Sequence, residues 1–225
     1  MKKIMFNDKY GLTQAVLSGQ KTMTRRIIKC PSNAFGFVVM RNGVGNWFVE
    51  TYDDDERPIG YIEPTYMDGE VVAIAQNYKD AGWDANTLQE AYVKTPTIFP
   101  DLDEYEKMSG IIDLPFKYHK GWSNKMFVKA DLMPHAIEIT DIKVERLQDC
   151  SDDDILKEGV FQISAPIYRH YNGIGYTFKG WTERGVECSS DTPKGAFKVL
   201  IDKVSGKGTW ESNPWVFAYE FKLIK

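Results

Sequence analysis

Metal and disulfide chemistry have little to work with in this chain. It carries three cysteines (Cys30, Cys150 and Cys188) and three histidines (His119, His135 and His170) among 225 residues. No Cys-x-x-Cys pair exists, so zinc knuckles and thioredoxin-like motifs are excluded, and the histidines lack metal-ligand spacing. An odd, widely spaced set of thiols fits a reducing cytoplasm better than a disulfide framework. No metal and no cofactor is expected. Long apolar runs are missing as well. The longest plain one, Val71 to Ala75, is far too short to span a bilayer. No apolar stretch follows Lys2 and Lys3, as a secretory leader would require. A soluble cytoplasmic protein without a membrane partner is expected. Basic excess is absent too: the net charge of −4 argues against a protein that coats nucleic acid along its length. There is no internal repeat or low-complexity tract. The length suits a single domain spanning 1–225, large enough to bury a core.

Against that acidic background the stretch Gly19 to Arg26 stands out. Lys21, Thr22, Thr24, Arg25 and Arg26 fall within six consecutive positions. Lys9 to Leu17 reads as a short helix, with Leu12, Ala15 and Val16 on one side. Gly19 is suited to the left-handed stop after it, and Thr22 to Ile28 reads as a strand. A cationic, hydroxyl-bearing corner suits an anionic or strongly polar ligand, because Lys offers a point charge and Arg a planar fork. The same residues also suit a solvated basic turn whose threonines serve β-propensity. Composition alone favours the solvated turn.

Most other segments read as strands. Phe35 to Arg41 and Asn46 to Tyr52 flank the turn signal Asn42-Gly43, and Asp53 to Glu56 follows as an exposed acidic loop. Glu70 to Gln76, after the turn Asp68-Gly69, and Lys125 to Lys129 are further strands. In Ile137 to Leu147 the apolar parity switches between Ile137/Ile139 and Ile142/Val144, which calls for a bulge near Thr140-Asp141. In the last strand Trp215, Phe217, Tyr219, Phe221 and Leu223 alternate with more polar positions such as Glu220 and Lys222. Residues 77–124, with three prolines and a helix expected at Leu102 to Met108, read as an insertion or lid. Residues 164–194 read as an irregular loop region that could supply aromatic platforms for a base. Ala196 to Val204 reads as a helix.

A second constellation follows the bent strand. Ser151 is a good N-cap, with Asp154 three residues later in a capping-box pattern. Asp152 and Asp153 sit at the favourable end of the helix dipole, and Gly159 closes the helix. Glu158 is the exception. It lies in the last turn, where a carboxylate is unfavourable by about 0.3–1 kcal/mol. An exposed glutamate on a short amphipathic helix is the plain reading; a proton-transfer group is the functional one.

Taken together, these stretches resemble the ASCH family, a branch of the PUA-like β-barrels. The family pattern Gly-x-Lys-x-x-polar-x-Arg is matched by Gly19, Lys21, Thr24 and Arg26. Asp68-Gly69-Glu70, the stretch Val144 to Gly159 and the ending Trp210 to Phe221 are similar to the large phage and prophage members. The match covers the β core but not residues 77–124. The resemblance implies an α+β fold, a PUA-like partly closed mixed β-barrel with short helices at its mouth. It also implies a site that takes a nucleoside, an RNA base or a modified base. A small ASCH enzyme hydrolyses N4-acetylcytidine with a lysine, a threonine and a glutamate, which fall here on Lys21, Thr24 and Glu158. Thr24 would attack the amide carbonyl, Lys21 would be its base if burial or Arg25 and Arg26 lower its pKa, and Glu158 would protonate the leaving amine. Arg25, Arg26 and Thr22 would bind substrate. In an ideal strand positions 21 and 24 face opposite ways, so Lys21 must still belong to the turn.

Two readings from other classes stand beside this amidohydrolase. One is a non-catalytic phage or prophage module that binds RNA or a modified base through Lys21, Arg25, Arg26 and Lys29. The other is an accessory protein that acts through an unknown protein partner, with residues 77–124 as contact surface.

Overall fold

Ten strands and four short α-helices alternate along the described chain, which makes the fold α+β. The computed structural model describes residues 1–43, 45–88, 120–168, 171–179 and 190–224. The elements are β1 (Lys2–Ile4), α1 (Leu12–Leu17), β2 (Met23–Ile27), β3 (Gly36–Arg41), β4 (Trp47–Tyr52), β5 (Pro58–Ile62), β6 (Val71–Ile74) and β7 (Ala136–Arg146). There follow α2 (Asp152–Lys157), β8 (Val160–Tyr168), β9 (Tyr171–Phe178), α3 (Pro193–Ser205), α4 (Thr209–Ser212) and β10 (Trp215–Leu223). No described helix is long and apolar enough to cross a membrane.

The chain divides into two compact units, and the expected insertion falls within the first. That unit comprises Met1–Met5 and Ala73–His135. Its described core is Ala75, Tyr78, Leu88 and Val128, with Trp83 and Trp122 packed against them. The expected strand at Lys125 to Lys129 is instead a 3₁₀ turn over Lys125–Phe127. The Asn124 side chain accepts the Met126 N–H and so imposes a local cap that overrides strand propensity. The helix expected at Leu102 to Met108 lies outside the described residues, as do His119, His170, Trp181 and Cys188.

The second unit, Phe6–Val72 and Ala136–Lys225, carries the motifs. Here β10 lies between β7 and β2 and pairs antiparallel with both. A central strand is covered on both faces, so Val216 and Ala218 are buried as fully as Phe217, Tyr219 and Phe221. The bulge read from the parity switch is present. Glu220 pairs with Asp141 and Phe221 with Ile139, leaving Thr140 as the extra residue. Strands β3, β4 and β5 form a separate antiparallel sheet, whose third member was not anticipated. Asp53 shapes the turn before β5 by accepting the N–H groups of Asp55 and Arg57.

Two expectations are corrected. None of the sheets closes on itself, so the partly closed barrel is not found among the described residues. One bulge bends β7, but closure also needs strand ends that meet in register, and β3 to β5 stand apart as their own sheet. The stretch 164–194 is not irregular throughout, because its first part supplies arms of the β8–β9 hairpin. Gly173 and Gly175 stand opposite Ala165 and Ile163 there. Glycines inside strands blur the alternation that would have revealed it.

Candidate functional site

The helix-to-strand corner is built by backbone bonds that leave little freedom. Gly11, at φ 62°, splits the expected first helix into a 3₁₀ turn and α1. Gly19 has φ 74°, the left-handed stop expected of it. The Lys21 N–H then donates back to the Ala15 carbonyl at 2.9 Å, and the Thr22 N–H donates to the Lys157 carbonyl at 2.8 Å. The Thr22 carbonyl accepts the Phe221 N–H at 2.8 Å. The turn is thereby fixed to α1, to the end of α2 and to β10 at once. Lys21 precedes β2, which begins at Met23, so strand alternation does not dictate its direction.

Glu158 reaches the same point from the other side. Ser151 caps α2 through the Asp154 N–H, as its sequence pattern foretold. Glu158 is the C-cap, and Gly159 turns the chain at φ 97°, a backbone region open to glycine at little cost. Lys21 and Glu158 are only 2% and 4% exposed. The Lys21 Nζ donates to Glu158 Oε2 at 2.5 Å, to the Glu158 carbonyl at 2.9 Å and to the Met23 carbonyl at 2.7 Å. All three ammonium protons thus have acceptors. Burial pulls the Lys21 pKa below its ordinary value; the Glu158 charge opposes this, while those of Arg26 and Arg25 assist it. Lowered is the net direction, because complete removal from water outweighs one carboxylate that is itself shared.

The sharing partner is Arg25, also buried. Its Nη1 donates to Glu158 Oε1 at 3.0 Å, and its Nε and Nη2 donate to Glu145 Oε1 at 2.9 and 2.7 Å. Asp154 lies 3.4 Å from Nη2 and 2.5 Å from the Lys143 Nζ. Burial alone lowers the Arg25 pKa, but Glu158 and Glu145 more than reverse it and leave it raised. Burial likewise raises the Asp154 carboxyl, but Lys143 and Arg25 bring it below 3.8. The Cys150 thiol nearby is pushed up to about 11 by burial, which marks it as inert packing rather than a nucleophile.

Lys143, Glu145 and Asp154 were not singled out from sequence. The register shows the available signal. Lys143 and Glu145 stand opposite Ala218 and Val216, and Ala218 stands opposite Arg25 on its other side. One face of the sheet therefore carries Arg25, Lys143 and Glu145, with α2 supplying Asp154 and Glu158. The charged parity of β7 was visible once its bulge had been placed.

Thr24 and Arg26 belong to the opposite face of β2 from Arg25, since side chains alternate. Thr24 is paired with Tyr219 and Arg26 with Phe217. Thr24 is 5% exposed, and its hydroxyl makes no hydrogen bond to a described residue. Arg26 is half-buried, and its charge is felt by Lys21 and by Tyr66, whose ring lies edge-on to Tyr219. Thr22 is half-buried and works through its backbone. Of the six site residues and one further cation named from sequence, Lys21, Arg25 and Glu158 meet in one network. Thr24, Arg26 and Thr22 flank it, and Lys29 is exposed beyond β2. The basic knot is thus half neutralised: Lys21, Arg25 and Lys143 face Glu145, Asp154 and Glu158.

No protein-family model, no curated protein and no solved structure matches this chain. The resemblance to the ASCH family rests on the residues that carry it.

Proposed function

We propose that this chain is an ASCH-type, PUA-like protein that binds a nucleoside or an RNA base beside Thr24 and hydrolyses an N-acyl amide on it, as in N4-acetylcytidine. The observation that carries this reading is the buried Lys21–Glu158 pair. Two residues 137 positions apart, chosen by motif, meet at 2.5 Å. Thr24 adds a hydroxyl with no hydrogen bond among the described residues. In the proposed reaction the Thr24 oxygen attacks the acyl carbon while its proton passes to the neutral Lys21 amine. The tetrahedral adduct then expels the cytosine amine, which takes up that proton through the Lys21–Glu158 pair. Water hydrolyses the acyl-threonine, giving acetate and the free hydroxyl. Burial helps by making the neutral amine accessible, whereas the three acceptors around Nζ favour the ammonium. Substrate entry would have to loosen one of them.

Loss of N4-acetylcytidine on incubation with the protein tests the reading directly. Lys21→Ala and Thr24→Ala are each expected to slow it by about 100- to 10,000-fold. An inactive wild type would remove the amidohydrolase. The non-catalytic base-binding module is the alternative, and the neutralised network favours it to the extent that a paired lysine is a poor base. It then relies on Arg26 and Lys29 rather than on Lys21 and Arg25, which are buried.

A further inference from the structure

Two exposed arginines in the second unit differ from Arg25 in every respect. Arg41 lies 4.0 Å above the ring of Trp47, its cross-strand partner. Arg146 lies 4.7 Å above the ring of Trp215, its partner in β7–β10. Neither makes an ion pair with a described residue; the one further bond is from Arg146 Nη1 to the Asn213 carbonyl at 3.1 Å. Their charges are uncompensated in a protein that otherwise matches its buried cations. Glu145, next to Arg146, faces the other way and is held by Arg25.

Each tryptophan ring has one face covered by its arginine. The indole N–H groups of Trp47 and Trp215 are buried yet have no acceptor. A buried donor that nothing meets is unfavourable. Phe37 stands edge-on to Trp215 at 5.4 Å. Phe37 and Arg41 share one face of β3, four residues and about 13 Å apart. β3 is an edge strand, so the two arginine–tryptophan pairs flank an open backbone edge.

We propose that this strip, from Arg146 and Trp215 through Phe37 to Arg41 and Trp47, binds single-stranded nucleic acid. Phosphates meet the two guanidinium groups, and bases stack on the exposed parts of the aromatic rings. Arginine on tryptophan is suited to this, because its fork still offers donors outward while the ring fixes its plane. The strip also connects to the site already described. Trp215, Phe217 and Tyr219 lie on one face of β10, and Arg26 and Thr24 stand opposite the last two. Resting on the base-binding reading, this extends the ligand from a nucleoside to a base within a strand.

The test measures fluorescence anisotropy of a labelled, unmodified ten-nucleotide RNA and of the DNA of the same sequence, across a salt series. Wild type and Arg41→Ala/Arg146→Ala are compared, with the melting temperature as a folding control. The double variant should bind at least about tenfold more weakly at low salt, and its salt slope should be shallower by about 1.4, since each phosphate contact on a single strand contributes about 0.7. Preference for either polymer identifies the source of the strand and supports the site. Absent binding by wild type, or an unchanged slope in the variant, overturns it. If hydrolysis of N4-acetylcytidine is absent from wild type while strand binding responds as stated, the amidohydrolase fails and the strand site stands.

Discussion

The two faces of strand β2 solve opposite problems with neighbouring residues. On one face Arg25 is buried among Glu145, Asp154 and Glu158, and almost every donor it points inward has an acceptor. On the other, the Thr24 hydroxyl has no hydrogen-bond partner among the described residues, and Arg26 stands opposite Phe217. The first face holds the chain together; the second has chemistry left over. Lys21 sits at the turn before the strand and is bound to the closed network through Glu158. Charge counted in sequence therefore misleads about charge available to a ligand. Arg25 and Arg26 are adjacent and identical in type, yet their placement on the strand turns them to opposite faces and gives them different surroundings.

The largest effect should come from opening the closed face. Arg25→Met removes the cation shared by the buried Glu158 and the half-buried Glu145, leaving each with one lysine, and the loss should approach the ~3–5 kcal/mol of a broken buried pair. Chemical denaturation should show it. A loss below about 1 kcal/mol would mean that the carboxylates reach water and that the face is not closed.

A smaller but more specific effect concerns pH. As base, Lys21 must be neutral, so the hydrolysis rate should climb with pH through a midpoint below 10.5. Glu158 raises that midpoint and Arg25 lowers it. Glu158→Gln should hence move the rising limb to lower pH, and Arg25→Met to higher pH. Shifts of the same sign in both variants would break the assignment of Lys21 as the titrating group.

Acid stability should shift less. The folded Asp154 carboxyl titrates below 3.8, its value in the unfolded chain, so its contribution is present above 3.8 and fades as pH falls through the folded value. Asp154→Asn should flatten the acid limb of a stability profile below pH 3.8. An unchanged limb would show that Lys143 and Arg25 do not hold this carboxylate. Smallest of all, Thr24→Val exchanges an unpaired hydroxyl for a methyl group of similar size, so the melting temperature should stay level or rise slightly. A clear fall would reveal a hydrogen bond that ties Thr24 into the fold and would blur the contrast between the faces.

Local signals were legible where one residue controls the backbone. Gly19, Ser151 and Gly159 each announced a helix end, and the parity of Ile137, Ile139 and Ile142 announced the bulge at Thr140. Lys21 and Glu158 could be named as partners only through the motif resemblance, since nothing in either stretch encodes the other. What escaped depends on pairing between distant strands. Arg25 looked like a ligand for substrate because its acceptors, on β7 and α2, lie 120 to 133 residues away. The β8–β9 hairpin escaped because its glycines carry no side-chain pattern, and the Lys125 turn because Asn124 acts by a local bond that strand propensity ignores.

The central proposal is that Lys21, held by the closed face, serves as base for the Thr24 hydroxyl on the open one. Acid-quenched mass spectrometry during turnover of N4-acetylcytidine tests it most directly. The account predicts one acetyl group on the peptide containing Thr24, with none on that peptide in Thr24→Ala. Turnover without an acetylated Thr24, or equal turnover by Thr24→Ala, would contradict it.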